Sequence, residues 1–323
     1  MSQMNRRNFL KGAAALAAGS ALSRRGHAEE ISPSNAATLP KRAFGKTGVD
    51  LSIIGFGGIV VMNVEQADAN RVVAESYERG VNYYDVAPGY GNAEEILGPA
   101  LEPYRKDVFL ATKTAQRERE AAEEEFERSC ERLKTDYFDL YQLHAITDVE
   151  ADVDPVFQSG GVMDMIVEKQ KEGRVRYIGF SAHSHEAALS AMDRYDFDSI
   201  LFPFSYMTTY AGGFGPEVMQ RAQEKNVACL CLKAIAKQLW EPDHPDRAKY
   251  PKCWYQPIDD PEMAALALRW ALALPITSLV PPGEEVLYRM ALDLAPDLEP
   301  ALSDEEEAKL QAMADGINPL FTA

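Results

Sequence analysis

The sequence predicts a (β/α)8 barrel, that is a TIM barrel, with an extra C-terminal helix. Eight short apolar, β-branched runs alternate with segments of helical period, and eight such units within about 250 residues mark the closed parallel barrel. Several runs are apolar through most of their length, as parallel strands covered on both faces require. The first run ends in "GFGGIVV" and lacks the G-x-G-x-x-G that opens a helix in a dinucleotide-binding open sheet. That weighs against the doubly wound alternative which periodicity alone leaves open.

Residues 1–28, "MSQMNRRNFLKGAAALAAGSALSRRGHA", have a basic start, a short apolar middle and a small-residue end, the pattern of an export signal. The apolar stretch over 12–22 is broken by Gly12 and Gly19. It is shorter than the ~20 apolar residues of a spanning helix, so no stable membrane anchor is expected. Arg6-Arg7 followed by Phe9, Leu10 and Lys11 resembles the twin-arginine signal of bacteria, whose pathway carries folded proteins across the inner membrane. The resemblance implies the twin-arginine export machinery as a partner and a periplasmic or otherwise exported, folded protein. Residues 29–40, "EEISPSNAATLP", read as a linker, and the barrel domain is expected over 41–323.

Within it, "LSIIGFGG" precedes a helical segment at 65–80, "VNYYDVA" one at 93–103, "DVFLATKT" one at 118–134, and "YFDLYQLH" one at 162–172. "VRYIGFS" then precedes 185–195, "SILFPFS" 215–225, "VACLCLKA" 261–274, and "ITSLVPP" 284–294. The closing segment "LSDEEEAKLQAMADGI" places Ser303 before Asp304, Glu305 and Glu306, a good start for the extra helix. Two connections, 145–161 and 235–260, exceed the ~12–15 residues at which a structureless loop becomes suspect or functional. On a barrel both follow strands and lie at the mouth.

Acidic residues outnumber basic ones 50 to 33, for a net charge of -17. Loss of residues 1–28 removes Arg6, Arg7, Lys11, Arg24 and Arg25 and no acid, which takes the charge to -22. Such a surface excludes a phosphate-tracking role on nucleic acid, and a small-molecule partner is expected. Cys130, Cys229, Cys231 and Cys253 have no CxxC spacing; packing is their expected role, with Cys229 and Cys231 sharing one strand face.

Polar residues at the ends of otherwise apolar strands converge on one mouth in a barrel. Asp85 ends the second strand, Lys113 the third and His144 the fourth, while Tyr90 follows on a loop between Gly89 and Gly91. A nearby ammonium lowers the pKa of a phenol, so Lys113 is expected to do this for Tyr90, with Asp85 offsetting the cost of burying the cation. His144 would hydrogen-bond a substrate oxygen where Tyr90 protonates it. Taken singly, each has a plainer reading: Asp85 a helix cap, Tyr90 a loop aromatic, Lys113 a solvated strand end, His144 a core histidine. The four together at successive strand ends form a carbonyl-reducing set.

The segments "GVNYYDVAPGYGNAEEILG", "FLATKT", "LYQLH" and "RVRYIGFSAHS" resemble the signature segments of the aldo-keto reductases, and "KRAFGKTGVDLSIIGFGG" fits that family's opening. The resemblance implies a (β/α)8 barrel that binds a nicotinamide dinucleotide in extended form and passes hydride between it and an aldehyde, ketone or alcohol. It makes Tyr90 the general acid, Lys113 its modulator, Asp85 the partner of Lys113, and His144 the orienter. For the cofactor it implies Ser181, with Ala182 and His183 standing where asparagine usually follows, and Leu201 where a glutamine is usual. Lys233 is expected to meet a phosphate and Gly283 to open a phosphate-facing helix. NADP is the family default, with NAD its rival, because Glu284 and Glu285 follow Gly283 and Arg289 is the nearest cation.

No metal is expected. His144, His183 and His185 leave a metal-dependent isomerase or lyase as an alternative, although Lys113 would repel a cation there. A non-catalytic nucleotide- or partner-binding barrel is the other. Trp240, His244, Trp254 and Tyr255 of the 235–260 connection either wall a substrate pocket or pack the loop.

Overall fold

The computed structural model describes residues 39–299 and 301–323; the signal and nearly all of the linker lie outside them. Eight parallel strands follow one another around a barrel: β1 (Phe56–Gly57), β2 (Tyr83–Asp85), β3 (Phe109–Thr114), β4 (Phe138–Ile146), β5 (Val175–Ala182), β6 (Ser199–Phe202), β7 (Ala228–Leu232) and β8 (Ser278–Val280). The ring closes through a parallel bridge between Ile54 and Leu279, with Gly55 N donating to Leu279 O (2.8 Å) and Leu279 N to Ile53 O (2.9 Å). Eight helices cover it: α1 (Gln66–Glu78), α2 (Ala93–Leu101), α3 (Arg119–Leu133), α4 (Val162–Lys171), α5 (His185–Arg194), α6 (Pro216–Glu224), α7 (Pro261–Leu272) and α8 (Glu285–Leu294). The extra helix is Asp304–Ala314, and Ser303 caps it: Glu306 N donates to Ser303 Oγ (3.2 Å) and Ser303 N to Glu306 Oε2 (2.9 Å).

One expected strand is divided. Leu51 and Ser52 of "LSIIGFGG" belong to the strand Asp50–Ser52, which pairs antiparallel with Lys41–Ala43, and Phe56–Gly57 joins the barrel. The hairpin closes the barrel's lower end with Phe44 and Leu51, which pack on Tyr83, Phe109, Leu140, Leu201 and Leu230 inside; the Phe44 and Phe109 rings lie 5.2 Å apart.

Because side chains alternate along a strand, each strand continues this apolar plug into a polar upper layer. On β2 the inward series runs Tyr83, Asp85; on β3 Phe109, Ala111, Lys113; on β4 Leu140, Gln142, His144. Ala111 is paired with Leu140, and Lys113 with Gln142. Cys229 and Cys231 take the opposite face of β7 and sit with the residues between strands and helices, whereas Leu230 faces inward. All four cysteines are free and buried.

Both long connections lie at the mouth. Residues 145–161 hold a π-turn (Val149–Val153) and a single helical turn (Asp154–Val156), while Ala236–Leu239 and Tyr255–Pro257 form an antiparallel hairpin. A short helix, Tyr206–Gly212, precedes α6, and the C-terminal tail is held by it and by the hairpin: Ala323 N donates to Gly212 O (3.0 Å), and Leu239 N of the hairpin to Asn318 O (3.0 Å). That path brings Phe321 to the mouth. No described helix is long and apolar enough to cross a membrane.

Candidate active site

Lys113 is fully buried, and its ammonium donates to Asp85 Oδ1 and to Val86 O (2.9 Å). The other Asp85 oxygen accepts from Tyr83 OH (3.0 Å) and Gln142 Nε2 (3.0 Å). Burial lowers the Lys113 pKa and the Asp85 charge opposes that fall, the balance expected of a desolvated cation with one close acid. Gln142 was not among the expected residues, yet its place was legible, because it precedes His144 by two on the same strand and shares the inward face.

Tyr90 stands beside this pair. The Lys113 Nζ lies 5.5 Å from the Tyr90 ring centroid, and the His144 ring packs edge-on at 5.6 Å. Of the two flanking glycines, only Gly91 has a left-handed φ (+56°), and a Cβ there would crowd Met62; Gly89 has an ordinary φ and open space around it. The expected lowering of the Tyr90 pKa is not found. Burial, and then the Asp85 charge, raise it. Lys113 has its ammonium bonded to Asp85 and Val86, so desolvation decides the phenol's state.

His144 lies two residues before the end of β4, at a break in register between Leu143 and Ile146, and Ala145 takes a left-handed φ of 53°. A non-glycine residue in that region is strained, and two groups hold it. Ala145 N donates to Ser181 Oγ (2.8 Å) and Arg117 Nη2 to His144 O (2.9 Å). Arg117 is fixed by Asp152 (3.0 Å), whose other oxygen accepts from Thr147 N and Oγ1 (2.7 and 2.9 Å). Burial first, then the charges of Lys113, His183, Arg117 and Lys233, press the His144 pKa down to about 3. Burial and Lys233 bring His183 to about 4. Both imidazoles are therefore neutral near pH 7, each with one N–H to donate.

All eight expected site residues line one pocket of about 450 Å³. Ser181 Oγ already accepts from Ala145 N, which leaves its hydrogen free for a ligand. His183 stacks on Phe321 (5.1 Å). Leu201 occupies the interior at the sixth strand, as expected. At Gly283 a Cβ would overlap Ile59, so the glycine serves close packing between the first and eighth connections. Lys233 directly follows β7 with φ 66°, and its Nζ lies 5.4 Å from the Trp254 ring centroid and 5.0 Å from that of Tyr255.

The remaining expectations divide. Trp254 and Tyr255 wall the pocket, but Trp240 packs the loop, donating to Cys253 O (2.9 Å) and tilting against His244. Arg289 is occupied by Glu75 and Glu285. Glu284 accepts from Lys252 N (2.6 Å), and Lys252 Nζ reaches Val60 O (2.8 Å) across the cleft. His185 Nε2 accepts from Gly215 N (2.7 Å), which removes one of the three imidazoles the metal alternative needs. No group of three or more His, Cys, Asp or Glu placed to hold a metal occurs among the described residues. Lys252 and Phe321 carried no local sequence signal, since their place depends on the loop's and the tail's paths over the mouth.

The chain is 33% identical over 181 residues to the uncharacterised oxidoreductase YqkF of Bacillus subtilis, covering 52% of this chain and 56% of that protein. It is 32% identical over 180 residues to L-galactose dehydrogenase of Arabidopsis thaliana, covering 47% and 51%. It thus spans about half the length of the curated relatives it matches. The holo form of an aldo-keto reductase from Bacillus halodurans shares the fold with a TM-score of 0.67 at 23% identity, covering 87% of this chain and 98% of that one. A family model for the twin-arginine translocation signal matches residues 3–23, outside the described residues. The model of the aldo/keto reductase family matches residues 53–286, and the chain belongs to that family.

Proposed function

We propose that this protein passes hydride between a nicotinamide dinucleotide and an aldehyde, ketone or alcohol, with Tyr90 as general acid and base. One observation carries the reading: a phenol held neutral by burial stands between the buried Lys113–Asp85 pair and a neutral imidazole, in one pocket. His144 N–H orients the carbonyl oxygen, and Tyr90 gives it a proton as negative charge develops there. Burial keeps the phenol protonated near neutral pH, so the resting site holds a proton to donate. Lys113 lies close enough to stabilise the phenolate that donation leaves, and Asp85 and Val86 O keep its ammonium in place.

The bound dinucleotide supplies the hydride. The residues present fit it: the free Ser181 hydroxyl and the neutral His183 suit an amide, Leu201, Leu232 and Val280 give an apolar wall, and Gly283 adjoins the start of α8. Glu284 is fixed on the loop, and Arg71 and Arg289 are both committed to Glu285. Among the described residues, Arg289 gives Nη1 to Glu75 and Nε to Glu285 and keeps only Nη2 without a partner, and the carboxylates around it oppose a 2'-phosphate, which supports NADH binding at least as tightly as NADPH. The twin-arginine signal supports export to the periplasm as a folded protein, with the dinucleotide acquired beforehand.

Parallel fluorescence titrations with NADH and NADPH test the cofactor assignment; tighter NADPH binding refutes the role given to the two glutamates. Tyr90→Phe tests the acid. Its expected effect is a loss of roughly 10²–10⁴-fold in turnover with little change in dinucleotide affinity, and wild-type turnover by the variant sinks the assignment. Purified periplasmic protein that releases no nucleotide on denaturation overturns export in the loaded state.

A further inference from the structure

The cationic side of the mouth contains one group that the reaction itself does not use. Asp85 is the only acid among the residues lining the pocket, and it is bonded to Lys113. Lys252 is held on the Glu284 side by Val60 O. Lys233 is different. No described acid faces it, the nearest ionisable groups that act on it being Cys253 and Cys231, and it has the ring faces of Trp254 and Tyr255 as neighbours. Its charge is felt by His144 and His183, which places it within reach of the imidazoles in the mouth. Its backbone is held in the left-handed region at φ 66°, a conformation that β- and γ-bearing side chains resist and that concentrates at binding sites.

An aromatic-flanked ammonium without a counter-ion is incomplete. The rings stabilise a cation but cannot accept its three hydrogens strongly, so the missing partner is an oxyanion. The surface of this acidic chain otherwise repels anions, whereas the mouth offers neutral imidazoles and this free positive charge. We propose that Lys233 receives a carboxylate or phosphate carried by the carbonyl substrate itself, so that the site selects anionic aldehydes or ketones. This rests on the reductase reading for the carbonyl, and it replaces the expectation that Lys233 serves a cofactor phosphate.

The test compares 4-carboxybenzaldehyde with 4-nitrobenzaldehyde, which match in shape and differ in charge. Binding is measured calorimetrically on the protein alone and on the protein saturated with oxidised dinucleotide, where hydride transfer does not occur. Wild type should bind the carboxylate roughly 10- to 100-fold more tightly, the range of one charge-assisted hydrogen bond. Lys233→Met should bring the two within about two-fold and Lys233→Arg should retain the preference, with NADH affinity unchanged in both; the arginine variant guards against a general packing effect of the methionine. Equal binding of the two aldehydes by wild type overturns the proposal. So does a preference that survives in Lys233→Met, or a loss of NADH affinity there without loss of the preference, which would return Lys233 to the cofactor. If wild type binds no dinucleotide, the reductase reading fails, while the same aldehyde ratio on the protein alone still decides the anion seat.

Discussion

Asp85→Asn should cost far more stability than a single charge removal at the surface, and by an amount that depends on pH. The carboxylate has three partners: Lys113, Tyr83 OH and Gln142 Nε2. An asparagine offers one acceptor oxygen, so its amide hydrogens must face a donor unless Gln142 turns over. Gln142 Oε1 is buried without a partner, so that turn is available and recovers part of the hydrogen bonding. It does not recover the charge. Lys113 is fully buried and would stay as an uncompensated cation or lose its proton. Breaking a buried pair from one side costs roughly 3–5 kcal/mol. Deprotonating a lysine of unfolded pKa near 10.4 at pH 7 sets a ceiling of about 5 kcal/mol, at 1.36 kcal/mol per unit. The variant's folded Lys113 then binds fewer protons than the unfolded chain, so its stability rises with pH between the two pKa values. At pH 9 the ceiling falls to about 2 kcal/mol. Urea unfolding followed by circular dichroism at pH 7 and pH 9 reads both quantities, and adding Lys113→Met should return most of the loss. A penalty under about 1 kcal/mol, or one that neither shrinks at pH 9 nor is recovered by the second substitution, refutes the buried-charge argument.

Two further outcomes follow from the imidazoles and their brace. His144 and His183, with pKa values of about 3 and about 4, bind fewer protons folded than unfolded, where the value is near 6.5. Their contribution is full above pH 6.5 and is lost as pH falls, by about 1.4 kcal/mol per pH unit per histidine; urea midpoints from pH 7.5 to 4.5 should decline less steeply in His183→Asn, and an unchanged slope counts against its burial as a neutral ring. Arg117→Ala removes the donor to His144 O and one of the charges that lower the ring's pKa. It should raise the His144 pKa seen by NMR and reduce turnover about 10-fold with dinucleotide affinity intact, and Arg117→Lys should restore the pKa better than the turnover; a His144 titration identical to wild type in Arg117→Ala removes Arg117 from that role.

What could be read in advance divides along a physical line. Asp85, Lys113 and His144 were legible because each is a charged or titratable residue near the end of a mostly apolar run, and strand alternation carries that face to the mouth without reference to any other part of the chain. By the same parity Gln142 could have been read from His144. The division of "LSIIGFGG" between hairpin and barrel could not, since an apolar β-branched run has the same appearance whether its neighbour is parallel or antiparallel. Neither could Lys252 or Phe321, whose place is set by where a 235–260 connection and a tail cross the mouth. The Tyr90 pKa failed for another reason. Lys113 lies beside the phenol, but proximity to a cation was weighed without the desolvation that the same packing imposes, and burial and Asp85 are what raise the value.

Burial shifts Lys113, His144 and Tyr90 in different numerical directions, lowering the first two and raising the third, yet for each it disfavours the charged form. Asp85 compensates only Lys113. The two groups proposed to touch the carbonyl oxygen are thereby both neutral hydrogen-bond donors in the resting site, and neither attracts a carbonyl compound from a distance. Attraction must come from a charge that is exposed to the pocket and unpaired, and the mouth holds one within reach of the imidazoles, at Lys233. On the proposed reading, proton donation and substrate capture are therefore assigned to separate groups, so neutralising Lys233 should weaken the binding of anionic carbonyl compounds while leaving turnover of bound neutral ones near wild type.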